Sequence, residues 1–155
     1  MTKFEKVSLF LLRVSLGWLM FYAGITKVLN PAWSAGGYLG GAKTFSGLYA
    51  YFADPSILPI IDFINEWGLT LLGISLILGI FVRLSSVCGA LLMLLYYLPV
   101  LDGFYPNAHS FVVDEHIVYI FALLYLGAVR AGRIWGLEKK VTDSKLFSNF
   151  RAILG

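Results

Sequence analysis

Four long apolar segments dominate this chain, and they constrain its fold more than any other feature. They cover roughly residues 7–28, 58–82, 84–101 and 111–129. Each reaches the ~17–25 residues that a helix needs to cross the hydrocarbon core of a bilayer. The sequence therefore predicts an all-α integral membrane protein whose four transmembrane helices form a bundle.

The composition also indicates a membrane protein with one domain. Of the 155 residues, 59% are hydrophobic and 14% are charged, whereas soluble domains carry about 25% charged residues. The first segment has the position of a signal peptide, but Arg13 interrupts its apolar run and no clear cleavage site follows. We therefore expect a four-helix transmembrane domain over 1–136 and an amphipathic tail over 137–155.

The basic residues are distributed unevenly around the four predicted spans. Ten of the 12 lysines and arginines would lie on one side, and only Lys27 and Lys43 on the other. By the positive-inside rule, this distribution predicts a multi-pass protein of the plasma membrane with both termini in the cytoplasm. Most acidic residues and both histidines gather toward the outer side. We therefore expect any chemistry in the outer half of the bilayer.

Two segments outside the spans have an amphipathic pattern. In the first outer loop, apolar side chains at helical spacing predict a short interfacial helix, which acts as an anchor or as a lid over a site; they are Phe45, Leu48, Tyr49 and Phe52. In the cytoplasmic tail, an apolar stripe beside Lys145 and Arg151 predicts contact with anionic lipid; it comprises Leu146, Phe147, Phe150, Ile153 and Leu154.

The first span carries a cation near each end of one helix face. On an α-helix, Arg13 and Lys27 share this face with two glycines and lie ~21 Å apart along it. Because that distance is shorter than the ~30 Å hydrocarbon core, at least one cation lies inside the core or at its edge. We expect Arg13, like Arg83, to be a structural charge that extends toward the inner headgroups.

A metal or haem site is not predicted. Even on one continuous helix, His109 and His116 would lie ~10 Å apart, which is too far to ligate one metal ion. The acids beside His116 have another explanation, because acidic residues in the first turn of a helix complement its dipole. The lone Cys88 excludes an intrachain disulfide and an iron–sulfur site held by this chain.

Two interpretations remain for the polar residues of the outer half. Glu66 lies ~9 Å inside the second span, where an unpaired carboxylate is costly, and Lys27 is its expected partner in an ion pair. Alternatively, these side chains surround the head group of an amphipathic molecule such as a quinone. Four residues of similar depth would supply hydrogen-bond donors and titratable groups to such a ligand: Lys27, Glu66, His116 and Tyr119.

The pattern of charges and glycines resembles that of the DoxX/DoxD-like membrane proteins. The first span matches in the series Arg13, Gly17, Phe21, Gly24 and Lys27. The second span matches in Glu66, Gly73, Gly79 and Arg83. The fourth span is similar in its acid and histidine, and in the Gly132–Arg133 and Leu137–Glu138 pairs that follow it.

This resemblance implies a four-helix membrane protein of a redox-associated group. DoxD-type members are subunits of thiosulfate:quinone oxidoreductase, so the resemblance implies a small membrane subunit of a respiratory assembly that contacts quinone. The expected partners are the bilayer and other membrane redox subunits or a second copy of this chain, and nucleic acid is not expected. No cofactor is expected in the chain itself, apart from a bound quinone or lipid. The alternative is a non-enzymatic scaffold subunit of a larger membrane complex.

Overall fold

The computed structural model describes residues 1–142, and within this range it contains helices and no β-strand. Four longer helices are joined by loops that contain shorter ones. The elements are α1 (Lys3–Val28), α2 (Gly36–Gly40), α3 (Ser46–Phe52), α4 (Leu58–Leu78), α5 (Val82–Val100), α6 (Glu115–Ala128), a 3₁₀ helix (Ala131–Arg133) and α7 (Glu138–Thr142). The all-α fold expected from the sequence is therefore confirmed.

Local sequence signals set the ends of these helices. Thr2 and Glu5 form a capping box at the start of α1, which satisfies two free backbone donors of the first turn. Gly79 ends α4 with a left-handed backbone at φ 65°, a conformation that glycine adopts without a steric penalty. Asp114 caps α6 by accepting two backbone hydrogen bonds. Helices α4 and α6 are therefore shorter than the predicted spans of 58–82 and 111–129 that contain them.

Three of the helices in the described range are long and apolar enough to cross a membrane, namely α1, α4 and α5. Helix α6 is equally apolar but has only 14 residues. It is shorter than the predicted span because the chain before Asp114 is not helical. Many large apolar side chains point outward from these helices, as expected for a surface that faces lipid.

Helices α1 and α4 pack antiparallel along their length through glycines. A Cβ atom on Gly17 would lie 2.9 Å from the backbone nitrogen of Ile77. On Gly24 it would meet the backbone nitrogen of Thr70, and on Gly73 the backbone of Phe21. The two helices are therefore closely packed at these three positions, because each helix backbone occupies the space of the missing side chain.

Helices α5 and α6 form a second antiparallel pair, and both pairs share one core. Gly89 faces Leu123, and Gly127 faces Ser86 across this pair. The core contains the buried apolar residues Leu9, Leu16, Met20, Leu69, Leu76, Val82, Ala90, Met93, Leu123, Leu126 and Ala131. We call the two ends of the bundle the Lys27 end and the Arg13 end.

The connection between α1 and α4 folds over the Lys27 end as two short helices: α3 lies in the segment where a short interfacial helix was expected, and α2 is an additional helix before it. Tyr49 is buried and packs with Ala35 and Leu39 in a separate small core. Phe45 and Leu48 are exposed. Only half of the predicted apolar stripe is therefore packed: Tyr49 and Phe52 belong to the small core, whereas Phe45 and Leu48 do not.

At the opposite end, Arg13 is completely buried, so the prediction that it extends toward lipid headgroups is wrong. Its guanidinium lies against Gly79 and Gly136, where a Cβ atom at either position would strike it. The Phe10 ring centroid lies 5.6 Å from Cζ. None of its three nitrogens has a hydrogen-bond acceptor among residues 1–142. Arg83, the other predicted structural charge, is exposed.

The chain after α6 closes the Arg13 end. The backbone nitrogens of Leu137 and Glu138 donate to the carbonyls of Leu78 and Gly79 at 3.1 and 2.8 Å. Glu138 is buried and accepts a hydrogen bond from the backbone nitrogen of Val82 at 3.2 Å. The first residues of the expected tail therefore pack on the bundle, whereas its apolar stripe lies outside the described residues.

Candidate functional site

A cavity of about 340 Å³ lies at the Lys27 end, where α1, α4, α5 and α6 converge under the loop that contains α2. Its lining is rich in aromatic rings and in polar groups. The residues that surround it are Lys27, Trp33, Ser34, Ala35, Tyr38, Asn65, Tyr96, Val100 and His116. A concave site of this size with few convergent polar groups is typical of small-molecule binding.

Lys27 is held in the cavity by polar and aromatic partners. Its Nζ donates to Oδ1 of Asn65 at 2.7 Å and to the hydroxyl of Tyr96 at 3.3 Å. The same nitrogen lies 4.6 Å from the Trp33 ring centroid and 5.4 Å from that of Tyr96. Because both rings present their negative faces to the ammonium, they help to hold a cation at this depth.

The hydroxyl of Tyr96 is the polar centre of this group. It accepts hydrogen bonds from Lys27 Nζ and from Nδ2 of Asn65, the second at 2.5 Å. Since a phenol can accept and donate at the same time, Tyr96 still has its own hydroxyl hydrogen to offer to a ligand.

Asp114 orients His116 at the start of α6. Its Oδ1 accepts from the backbone nitrogen of His116 at 3.0 Å and of Ile117 at 3.3 Å. Its Oδ2 lies 2.8 Å from His116 Nδ1. A carboxylate bound to Nδ1 fixes the hydrogen on that nitrogen and leaves Nε2 as the second functional atom of the ring. The His116 ring packs edge-on against Tyr96, with centroids 6.3 Å apart.

The covering loop is fastened to the last turns of α5. The hydroxyls of Tyr38 and Tyr49 donate to the carbonyls of Tyr96 and Leu95 at 2.5 and 2.9 Å. Burial raises the pKa of Tyr38 to about 12, with smaller contributions from Tyr49 and Asp114. Tyr38 is therefore a neutral hydrogen-bond donor at physiological pH.

Further contacts hold the same loop in place. The Thr44 hydroxyl donates to the carbonyl of Leu98, and the backbone nitrogen of Lys43 donates to that of Pro99 at 2.9 Å. Lys43 also forms an ion pair with Asp102 at 3.0 Å. The two backbone acceptors, Leu98 and Pro99, lie at the end of α5, where carbonyls have few or no helical partners. Together with the ion pair, these contacts hold the loop as a fixed roof over the cavity.

The structure brings together two of the four predicted ligand-binding residues. Lys27 and His116 line the cavity, whereas Glu66 and Tyr119 do not. Glu66 forms no ion pair with Lys27 in the described part of the chain, so that predicted pair is wrong; Asn65, one residue earlier, takes its place. Tyr119 packs against the main core.

Several residues of the cavity were missed in the sequence. Asn65 and Tyr96 are polar groups within apolar spans, and that signal alone could have marked them. Their hydrogen bonds with Lys27 join residues that are far apart in the chain, and no local sequence pattern predicts such contacts. Asp114 was seen only as a helix-start acid, although its second oxygen binds His116.

Three potential metal ligands lie close together beside the cavity. Ligand atoms of Asp114, Glu115 and His116 are all within 4.8 Å of one another. Asp114 and His116 are already bound to each other, and Glu115 is exposed. His109 lies in an exposed loop outside this group. These contacts are explained by the helix cap, and we assign no metal to them.

The chain matches a known protein family over more than half of its length. A family model described as DoxX matches residues 8–101. The matched range contains Lys27, Asn65 and Tyr96 but ends before Asp114 and His116. No curated protein and no solved structure matches the chain.

Proposed function

This chain belongs to the DoxX family of membrane proteins, and we propose that it is a small membrane subunit of a redox assembly that binds the head ring of a quinone. The cavity at the Lys27 end carries this proposal. Among the described residues, it is the place where aromatic walls, hydrogen-bond donors and an oriented histidine converge.

We further propose that α6 is a fourth span. Three pairs of residues that join the two ends of the bundle are each separated by 14 positions. They are Lys27 and Arg13 on α1, Tyr96 and Val82 on α5, and His116 and Arg130 at the two ends of α6. That separation corresponds to ~21 Å. The 14 residues of α6 therefore cover the same apolar interval as the longer helices. With the basic residues on the cytoplasmic side of a plasma membrane, the Lys27 end faces outward.

The polar groups of the cavity suit a ligand with two carbonyl oxygens. The Tyr96 hydroxyl and the Lys27 ammonium are donors for one oxygen, and His116 can donate to the other from Nε2 when its ring is protonated. Trp33 and Tyr38 provide aromatic surface for a planar ring. Because a quinone is flat and its two oxygens lie on opposite edges, the donors must lie on opposite sides of one planar ring.

Reduction of a quinone takes up two electrons and two protons. His116 can hold a proton at Nε2 while Asp114 stabilises the charged ring, as in other carboxylate–histidine pairs. The chain has no motif for a flavin, haem or iron–sulfur cluster, so the electrons would come from a partner redox subunit. On this proposal, the chain positions the quinone and handles its protons.

The competing proposal is a non-enzymatic scaffold subunit. It is favoured by the fact that Lys27 already has partners within the chain, namely Asn65 and Tyr96. In this case the polar cluster would only fix the register of α1, α4 and α5. The two proposals differ in whether the cavity binds a ligand.

A pair of tyrosine variants tests the quinone proposal. The full chain in lipid nanodiscs is titrated with a short-chain ubiquinone analogue, and binding is followed by quenching of tryptophan fluorescence. Tyr96→Phe removes a hydroxyl in the cavity, and Tyr119→Phe removes one that packs on the core. We expect the first to weaken binding about 3- to 10-fold, from the loss of one hydrogen bond, and the second to leave it unchanged. Absence of binding by the unaltered chain would support the scaffold instead.

A further inference from the structure

A second polar cleft lies at the Arg13 end, on the seam between α5 and α6. It has a volume of about 300 Å³ and is bordered by Arg83 and Arg130, with Ser86 at its base. Arg83 stands in the first turn of α5, and Arg130 follows the end of α6. The antiparallel packing of the two helices therefore brings both cations to one opening.

The hydroxyl of Ser86 has no hydrogen-bond partner in the described part of the chain, although it is fully buried. A buried hydroxyl is rarely left in this state in a native protein. Ser86 packs against Gly127, where an added Cβ atom would lie 3.1 Å from the serine Cβ. The hydroxyl is thus a donor for an acceptor that enters the cleft.

Arg130 keeps an unfavourable backbone conformation at this position. Its φ is 51°, in the left-handed region where glycine is normally preferred. The chain nevertheless places a long cationic side chain at the mouth of the cleft.

The charges around the cleft are mostly positive. Glu138, the buried carboxylate of this end, is shared among Arg13, Arg133 and Arg130, each of which lowers its pKa against the larger opposite effect of burial. The residues that line the cleft include Arg83 and Arg130 and no acidic residue, so the cleft favours an anion.

The remaining wall of the cleft is apolar and faces outward. Val87, Leu124 and Ala128 line it and are exposed, and all three lie on the side of the arginines that leads toward the middle of the bundle. A free phosphate ion would make no favourable contact with this apolar wall, whereas the acyl chains of a lipid would cover it.

We propose that this cleft binds the phosphate of an anionic phospholipid between Arg83 and Arg130, with Ser86 as a further donor. Basic pockets between helices near a membrane surface commonly bind such headgroups. The site is separate from the cavity at the Lys27 end and does not depend on quinone binding.

Native mass spectrometry of the full chain in detergent tests this proposal. Phosphatidylglycerol is titrated against phosphatidylcholine with the same acyl chains. We expect one phosphatidylglycerol to bind with about tenfold or greater preference, and Arg83→Gln combined with Arg130→Gln to remove that preference. The matched control is Lys6→Gln combined with Lys140→Gln, which removes the same charge from exposed positions of the same end. An equal loss in the control would mean general attraction, which would overturn the site.

Two further measurements keep the result interpretable. Arg130→Gly relieves the left-handed backbone, so it should fold at least as well as the unaltered chain and still lose lipid preference. If it retains the preference, the proposal is wrong. Added inorganic phosphate at millimolar concentration should not displace the lipid. Displacement would show a site for the free ion and would overturn the lipid assignment.

Discussion

The hydroxyl of Tyr49 donates a hydrogen bond to the carbonyl of Leu95, the acceptor that Pro99 leaves without a helical partner. Proline has no backbone N–H, so the carbonyl four residues earlier in a helix loses its bond. In this fold a residue of the loop over the Lys27 end supplies the missing donor. The carbonyl that lacks a donor within α5 is therefore the point at which the roof is attached to this helix.

We predict that Tyr49→Phe destabilises the protein by about 1–3 kcal/mol, because it leaves a carbonyl of α5 without a donor. The free energy of unfolding is measured by denaturant titration in detergent. In a Pro99→Ala background the restored N–H can bind Leu95, so the same Tyr49 substitution should cost less. Equal costs in both backgrounds would contradict the link between Tyr49 and Pro99.

A second prediction concerns the partner of Lys27. Lys27→Met and Asn65→Leu should be non-additive, with a coupling of about 0.5–3 kcal/mol, because each single change leaves the other group without its hydrogen bond. Stability of the two single variants and the double variant is compared. The control cycle pairs Lys27→Met with Glu66→Gln, which makes no direct contact with Lys27, and we expect a smaller coupling there. A larger coupling to Glu66 would restore the ion pair that the sequence had suggested.

Glu138 gives a prediction about pH. Burial raises the pKa of its carboxyl, and this residue lies outside the spans. A carboxyl whose pKa is higher in the folded state contributes stability below its unfolded pKa, and that contribution is lost as pH rises through the folded pKa. Thermal stability should therefore fall as pH rises above about 4.5, and Glu138→Gln should flatten this slope. A slope that is unchanged in the variant would show that other groups cause it.

The sequence was sufficient for the class of fold, because apolar runs marked α1, α4 and α5. It was insufficient for Arg13, because the space that buries its guanidinium comes from Gly79 and Gly136, two distant glycines. The same limit applies to the cavity: Lys27 could be selected by its depth, but Asn65 and Tyr96 are joined to it only by tertiary packing.

Glycine substitutions on α4 test the packing directly. We predict that Gly73→Ala costs about 1–3 kcal/mol or more, since its new methyl group would strike the backbone of Phe21. Gly68→Ala on the same helix meets nothing within 4 Å and should be neutral or stabilising by up to about 1 kcal/mol. Unfolding in detergent measures both variants. Similar effects of the two would mean that α1 and α4 do not approach as closely as described.

The last prediction separates the two roles of Asp114, which caps α6 and also binds the His116 ring. Asp114→Ser keeps a good helix cap but replaces the oxygen that reaches Nδ1 with a shorter side chain. We therefore expect its stability to stay within about 0.5 kcal/mol of the unaltered chain, while quinone binding in nanodiscs weakens, because the ring loses its fixed orientation and its charge-stabilising partner. Asp114→Ala loses both roles and should fall in stability by about 1 kcal/mol as well. If Asp114→Ser binds quinone as tightly as the unaltered chain, His116 does not take part in the site, and Asp114 serves only the helix.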